Sequence, residues 1–237
     1  MQRDVIYVDG KWSFNSSVSA CFDDMLSRSI PDYETMRDVT LRLAKSYLKD
    51  TKKINMLDLG CSNGINIEQF VKEFDDRLSS CIGIDKSIPM IAEARIRLKD
   101  YHNVHTKSTD IVDYNFDINK YNIITSILTL QFIPIEYRQR VLCDIYNSLK
   151  SGGMFIFIEK VIEPSYMLDN LYVDSYYKLK QDNGYSEEQI YNKKKSLEGV
   201  LVPVTSKMNI DLLEQAGFKN IGVFWKCLNF EGYIDIT

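Results

Sequence analysis

The segment Asn55–Gly64 constrains the fold more than any other stretch of this sequence. It reads as a short apolar strand that carries Asp58 near its end, passes through a turn with Gly60 and Gly64, and opens a helix. A glycine turn between a strand and a helix lets the backbone come close to a ligand. Further along, the predicted strand Cys81–Asp85 ends in a second carboxylate, which suits the two hydroxyls of a ribose. The pattern indicates a site for a nucleoside-containing ligand.

Residues 54–160 alternate predicted strands and helices, which is typical of a mostly parallel sheet with helices on both faces. The helix before the strand at 154–159 is predicted to stop at Gly152-Gly153. The last two strands, at 221–226 and 230–236, are predicted to form an antiparallel pair. An antiparallel pair beside a parallel sheet is the pattern of adenosylmethionine-dependent transferases and differs from that of dinucleotide dehydrogenases. We therefore predict an α/β, Rossmann-like fold of the class I methyltransferase type.

The chain is predicted to form one domain over residues 1–237, because its length suits a single α/β unit with additions. Residues 15–48 read as two helices broken at Pro31, and residues 54–160 and 204–237 supply the nucleoside-binding core. Residues 163–200 are rich in tyrosine and lysine and read as helical, with a break at Asn183-Gly184. We predict that this last segment is a helical cap over the site.

Composition narrows the possible partners and the compartment. The formal net charge of −4 gives no electrostatic signature of nucleic-acid binding, so we predict a small-molecule substrate and no direct contact with nucleic acid or membrane. The five cysteines have no CxxC spacing and read as reduced thiols, and Met1-Gln2-Arg3-Asp4 leads into no apolar segment of a signal peptide. We therefore predict a cytoplasmic location. His102 and His105 stand without a cluster of ligands, so no metal is predicted.

The turn alone does not decide the ligand, since a tight strand–helix connection without any ligand would look similar. The G-x-G-x-x-G spacing of a dinucleotide site is absent because Ser62 follows Gly60 by two residues, and no Walker lysine follows. Asp85 and the pair Asp110-Ile111 come directly after the second and third strands. An acid at the latter place can accept a hydrogen bond from an adenine amino group. Together these features favour a bound adenosyl group.

At this point the sequence resembles a known family, the carboxy-S-adenosyl-L-methionine synthases. The likeness runs through nearly the whole chain and is carried by Trp12-Ser13-Phe14, Phe22-Asp23-Asp24-Met25, Arg28-Ser29-Ile30-Pro31-Asp32-Tyr33, Asp58-Leu59-Gly60-Cys61-Ser62, Thr129-Leu130-Gln131-Phe132, Glu159-Lys160, Asn183-Gly184-Tyr185-Ser186-Glu187, Leu197-Glu198, Ala216-Gly217-Phe218, Trp225 and Asn229-Phe230.

The resemblance implies a transfer of a carboxyl group from prephenate to the methyl carbon of S-adenosyl-L-methionine, for wobble-uridine modification of tRNA. It also implies a homodimer in which the cap of one subunit borders the site of the other. The cofactor contacts that it implies fall on Tyr33, Gly60, Cys61, Ser62, Asp85, Lys86, Asp110 and Ile111, and the turn itself adds Asp58 and Gly64.

Four positions depart from the family pattern. Ile127 replaces a cofactor-contacting asparagine, Lys194 replaces the arginine that binds the new carboxylate, and Tyr176 and Tyr177 replace paired histidines of the cap. An ammonium lacks the bidentate geometry of a guanidinium. These changes therefore suggest that the ability to bind and transfer a carboxyl group is weakened or lost.

Our hypothesis from the sequence is therefore a methyltransferase that uses S-adenosyl-L-methionine and acts on a small molecule. The alternatives are a carboxy-S-adenosyl-L-methionine synthase, whose site holds carboxy-S-adenosyl-L-methionine, and a non-catalytic adenosylmethionine-binding partner. No catalytic residue is assigned. The predicted substrate-binding residues are Glu159, Tyr176, Tyr177, Tyr185 and Lys194. The alternative for Glu159 is ion pairing at the sheet rim, that for the three tyrosines is packing within the cap, and that for Lys194 is a solvated helix face.

Overall fold

An eight-stranded sheet is the central feature of the computed structural model, which describes residues 2–6 and 10–237. Met1, the first residue of the segment for which no signal peptide is predicted, and residues 7–9 lie outside the described residues. The strands are β1 (Ile54–Leu59), β2 (Leu78–Asp85), β3 (Val104–Ser108), β4 (Tyr121–Ile127), β5 (Leu149–Ile162), β6 (Val204–Thr205), β7 (Gly222–Cys227) and β8 (Phe230–Ile236).

The sheet order is β3-β2-β1-β4-β5-β8-β7, with β6 paired to β5 outside this path. Strands β1 to β5 pair in parallel, whereas β8 is antiparallel to both β5 and β7. This topology confirms the predicted Rossmann-like class I methyltransferase fold. In such a sheet the ligand site is expected beyond the carboxyl ends of the parallel strands.

The helices are α1 (Ser16–Ala20), α2 (Phe22–Ser29), α3 (Tyr33–Tyr47), α4 (Ile65–Phe74), α5 (Ile88–Arg97), α6 (Ile135–Ser148), α7 (Tyr166–Asp182), α8 (Glu187–Leu197) and α9 (Ser206–Ala216). No helix in the described part of the chain is long and apolar enough to cross a membrane.

Hydrophobic cores cover both faces of the sheet because neighbouring residues of a strand point to opposite sides. Leu57 of β1 packs with residues of α6 and α9 in one core, and Met56 packs with residues of α4 and α5 in the other. Each fully buried side chain of this size contributes about 1.5–3 kcal/mol. Both cores hold the strand ends in fixed positions, so the turns after β1, β2 and β4 meet at one edge.

Two helix boundaries differ from the sequence prediction. The 15–48 region contains three helices, because a further break falls at Cys21, in addition to the one near Pro31. The helix predicted to reach Gly152-Gly153 ends at Ser148, since Leu149 already pairs with Tyr121 at the start of β5. Gly152, with φ of +72°, lies within an irregular part of that strand and does not end a helix.

The segment before α1 packs against α7 and α8. These two helices are separated at Asn183-Gly184, and a capping box between Ser186 and Gln189 begins the second one. The amide of Trp12 donates to the carbonyl of Ser196 at 2.9 Å, and the buried Asp4 accepts a hydrogen bond from the Tyr185 hydroxyl at 2.5 Å. The N-terminal segment is therefore held against α8 and the connection between α7 and α8.

Candidate active site

A deep cleft lies at the carboxyl ends of the parallel strands, between the sheet edge, the N-terminal helices and α7–α8. Its lining includes residues of the turns after β1, β2 and β4 and of the helices α2, α3 and α7.

The turn after β1 forms the floor of the cleft. Gly60 has φ of +68°, and a Cβ at this position would collide with the Thr129 side chain, so only glycine fits. Cys61 and Ser62 follow on the cleft wall. Gly64 lies outside the lining, where φ of +80° lets it begin α4 next to Leu98. The loop that follows β4 approaches this turn closely and thereby limits its conformation.

Asp85 lies where β2 ends, and two backbone amides fix its carboxylate. The amide of Ser62 donates to one oxygen at 3.0 Å and that of Ser87 to the other at 2.8 Å. Burial raises the pKa of Asp85, while these two donors act in the opposite direction. The next strand ends near Asp110, whose carboxylate lies 4.0 Å from the Lys86 ammonium, and all three line the cleft together with Ile111.

Two buried polar atoms on the cleft lack a partner among residues 2–6 and 10–237. Asp58 Oδ1 accepts hydrogen bonds from Thr125 at 2.6 Å and Asn66 at 3.0 Å, but Oδ2 has no donor. Arg37 Nε on α3 is likewise unpaired. Buried polar atoms are usually satisfied, so an acceptor and a donor left free on one cleft indicate a ligand with complementary groups. The ammonium and carboxylate of an amino acid fit this pair.

The structure places eleven of the predicted site residues on the cleft lining, including Tyr33 of α3, Ile127 at the end of β4 and Tyr176 of α7. Five others lie outside it, namely Gly64, Glu159, Tyr177, Tyr185 and Lys194. The Lys194 ammonium is directed at the Tyr177 ring, 5.8 Å from its centroid. The Tyr185 hydroxyl instead donates to the buried Asp4.

Glu159 occupies a buried position behind the cleft and is 3 % exposed. Its carboxylate accepts hydrogen bonds from the amides of Thr129, Leu130 and Gln131 at 3.2, 3.0 and 2.6 Å. Burial raises its pKa to about 8, against the effect of these donors and of Arg138. The adjacent Leu128 has φ of +55°, a left-handed conformation that a bulky residue adopts only when its surroundings hold it. Glu159 therefore fixes the loop that forms one cleft wall.

Sequence reasoning missed several residues of the cleft. Arg37 lies one helical turn after Tyr33, and that spacing could have indicated it. Lys160 and Lys193 also line the cleft, and Trp12, Phe14 and Phe132 form an aromatic wall in which the Phe14 and Phe132 ring centroids are 5.2 Å apart. Their convergence depends on how the N-terminal segment packs against α8, which no local pattern reveals.

Comparisons with known proteins agree with this geometry. A family profile described as a methyltransferase domain matches residues 56–153. The fold is shared with phosphoethanolamine N-methyltransferase 2 of Haemonchus contortus, solved in complex with S-adenosyl-L-methionine, at a TM-score of 0.62 and 16 % identity over 83 % of this chain and 51 % of that chain. Fold and site thus define a class I, adenosylmethionine-dependent transferase.

The relatives narrow the class to one family. A carboxy-S-adenosyl-L-methionine synthase of Nautilia profundicola is 35 % identical over 96 % of this chain and 95 % of its own length. One of Helicobacter pylori is 36 % identical over 93 % of this chain and 92 % of its own. The chain belongs to the carboxy-S-adenosyl-L-methionine synthase family, as the sequence motifs predicted.

Proposed function

We propose that the cleft binds S-adenosyl-L-methionine and that the protein transfers its methyl group to a small molecule. The observation that carries this proposal is the placement of Lys194, at the position where the resemblance described above implies a carboxylate-binding arginine in the family. Its ammonium packs over Tyr177, outside the cleft lining. The cleft also presents the apolar Ile127, at the position where the same resemblance implies an asparagine. Both changes remove groups suited to a carboxylated cofactor.

The residues present fit this cofactor. Asp85 would accept the ribose hydroxyls, because its carboxylate is already oriented by two amides. Asp110 and Ile111 lie where an adenine would be bound. Asp58 Oδ2 and Arg37 Nε, the two unpaired atoms, would take the ammonium and carboxylate of the methionine part.

Bound adenosylmethionine supplies an electrophilic methyl carbon on its sulfonium. The protein's part in such a displacement is to orient the reactants and exclude water. Gly60 and the loop held by Glu159 shape the walls, and Trp12, Phe14 and Phe132 exclude solvent from one side. A base is needed only for an acceptor that arrives protonated.

Cofactor affinity is expected to fall as the pH drops through 7. Burial raises the pKa of Asp58 from 3.8 to about 7, with a further contribution from Asp85 and opposing hydrogen bonds from Thr125 and Asn66. A ligand ammonium favours the carboxylate, so binding below this pKa requires loss of a proton. Calorimetry with S-adenosylhomocysteine should show roughly tenfold weaker binding at pH 5.5 than at pH 7.5. The Asp58→Asn variant should show a flat profile, and a flat wild-type profile would refute this role.

The released ligand distinguishes the proposed reaction from its alternative. We expect mass spectrometry of the denatured, freshly purified protein to show adenosylmethionine or adenosylhomocysteine. We also expect that the protein, given adenosylmethionine and prephenate, forms no carboxylated product. A ligand or product heavier than adenosylmethionine by one carboxyl unit would overturn methyl transfer.

Carboxy-S-adenosyl-L-methionine synthesis is the second candidate function. Two observations favour it: the relatives named above carry this activity in their names, and Lys160 and Lys193 place positive charge on the cleft wall. If this reaction is the true one, adenosylmethionine and prephenate give the carboxylated species directly. If the protein binds adenosylmethionine but catalyses neither methyl transfer nor carboxy-S-adenosyl-L-methionine synthesis, the non-catalytic alternative is supported.

We further propose a homodimer. An exposed apolar face on the first half of α7, formed by Tyr166, Met167, Leu168 and Leu171, supports it, because a patch of this kind suits a protein contact. Light scattering should give about twice the 27.6 kDa of one chain. The five free cysteines support a location in the reducing cytoplasm.

A further inference from the structure

Asp23, the second residue of α2, lies outside the cleft lining but joins three elements around it. One of its oxygens accepts a hydrogen bond from the guanidinium of Arg97, the last residue of α5, and the other accepts one from the side-chain amide of Asn63, each at 2.6 Å. The Arg97 guanidinium also lies 3.4 Å from the Glu68 carboxylate of α4. A single carboxylate therefore ties the N-terminal helices to the turn after β1.

The turn after β1 has a conformation that needs support from its surroundings. Gly60, Ser62 and Gly64 all have positive φ, at +68°, +48° and +80°. Glycine adopts this left-handed conformation freely, but a serine there costs free energy and keeps it only where neighbouring groups hold it. The backbone at Ser62 would therefore relax if its supports were removed.

Two supports lie on either side of Ser62. Before it, the Cys61 amide donates to the carbonyl of Ile84 in β2 at 2.9 Å. After it, Asn63 is 4 % exposed, and in the part of the chain that the structure describes its side chain makes one hydrogen bond, the one to Asp23, while its Oδ1 atom has no partner. The side-chain anchor after Ser62 therefore depends on Asp23.

The conformation of Ser62 matters because its amide orients a carboxylate. It donates to one oxygen of Asp85 at 3.0 Å, and the Ser87 amide holds the other oxygen at 2.8 Å. Asp85 is the acid proposed above to accept the two ribose hydroxyls. A carboxylate held at both oxygens is preorganised for such a ligand, whereas one held at a single oxygen can rotate.

We propose that Asp23 is a positioning residue for ribose recognition. Through Asn63 it holds Ser62 in the left-handed conformation, Ser62 in turn orients Asp85, and Arg97 keeps the Asp23 carboxylate in place. The packing of α2 against the turn thus contributes to selectivity for a ribose with both hydroxyls, although Asp23 itself does not touch the ligand. This inference deepens the proposed function and rests on it for the ligand of the cleft.

Two nucleosides that differ only in the ribose hydroxyls test this role. Adenosine and 2′,3′-dideoxyadenosine compete with S-adenosylhomocysteine for the protein in displacement calorimetry. Wild type should prefer adenosine about 100-fold, because only adenosine forms two hydrogen bonds to a carboxylate. Asp23→Ala should reduce this preference about tenfold, as the loss of one such bond would. A general loss of stability weakens both affinities alike and leaves their ratio unchanged.

The variant Asn63→Ala removes the other partner of the same hydrogen bond. It should reduce the preference for adenosine about as much as Asp23→Ala does. The double variant should lose no more than either single one, because two changes to one link are not additive. Asn63→Ala leaves the ion pair between Asp23 and Arg97 intact, so it carries the test if Asp23→Ala fails to fold.

Asp24→Ala is the matched control. Asp24 is the neighbouring acid on α2, and its carboxylate binds the Arg28 guanidinium and the amide of Asp4. Its removal costs a comparable set of contacts without touching the link to Asn63, so the preference for adenosine should stay within about twofold of wild type.

The possible outcomes separate this inference from the proposed function. An undiminished preference in Asp23→Ala and Asn63→Ala, or an equal loss in Asp24→Ala, would overturn the positioning role. Equal affinity of wild type for the two nucleosides would overturn it together with the ribose role of Asp85. The affinity for S-adenosylhomocysteine and the products of the transfer assay are measured separately, so a failure of the proposed function is distinguishable from both.

Discussion

Replacement of Glu159 by alanine should lower the free energy of unfolding by roughly 3–5 kcal/mol, the largest effect of a single substitution that we expect. The change would leave the amides of Thr129, Leu130 and Gln131 without their acceptor. Each buried donor left unsatisfied costs about 1–3 kcal/mol, and water entering the space recovers part of the sum. Urea unfolding followed by circular dichroism measures the loss.

Two further variants make the interpretation specific. Glu159→Gln keeps the shape and one acceptor oxygen, so an intermediate loss is expected. Glu93→Ala, at an exposed position of α5, should stay within about 0.5 kcal/mol of wild type. If Glu159→Ala is as stable as Glu93→Ala, the carboxylate does not hold the loop.

Replacement of Asp85 by alanine should weaken binding of S-adenosylhomocysteine about 100-fold or more. Two hydrogen bonds from ribose hydroxyls to a carboxylate are lost, and hydrogen bonds to charged groups contribute about 1.5–3 kcal/mol each. The amides of Ser62 and Ser87 also lose the group that orients them. Calorimetry of the purified variant gives the dissociation constant, and its thermal unfolding shows whether the fold survives.

Asp113→Ala provides the control for this measurement. Asp113 is exposed and lies outside the cleft lining although it follows Asp110 closely. Its removal should leave the affinity within about twofold of wild type, as expected for a surface side chain without contacts to the ligand. An affinity of Asp85→Ala within threefold of wild type would show that the ligand is bound elsewhere.

The parts of the site that the sequence predicted are those encoded within a few residues. Asp58 and Gly60 follow from the end of one strand and its turn, and Asp85 and Asp110 from the ends of the next two strands. Parallel strands bring such ends to one edge, so their convergence on a cleft could be predicted. The family motifs added Tyr33 and Ile127, which local patterns alone would not have indicated.

The remaining features depend on packing between distant segments. Glu159 ends the predicted strand at 154–159 like the other acids, but in the structure it lies within β5, three residues before the strand ends, and its carboxylate is turned to the amides of a neighbouring loop. No sequence pattern distinguishes that orientation from one toward the cleft. Lys193 and Lys194 are adjacent in sequence, yet only the first lines the cleft, because one residue of helix rotates a side chain by about 100°. A cluster of lysines therefore predicts charge, and the structure is needed to say which one faces a ligand.

The position of β5 has a consequence for the order in which a nascent chain can fold. Its one edge pairs with β4, which precedes it, but its other edge pairs with β8, which is synthesised some seventy residues later. While the ribosome makes α7, α8 and α9, the strand therefore exposes an unpaired, apolar edge that can pair with another chain. The parallel part, which carries Asp58, Asp85 and Asp110, can assemble earlier.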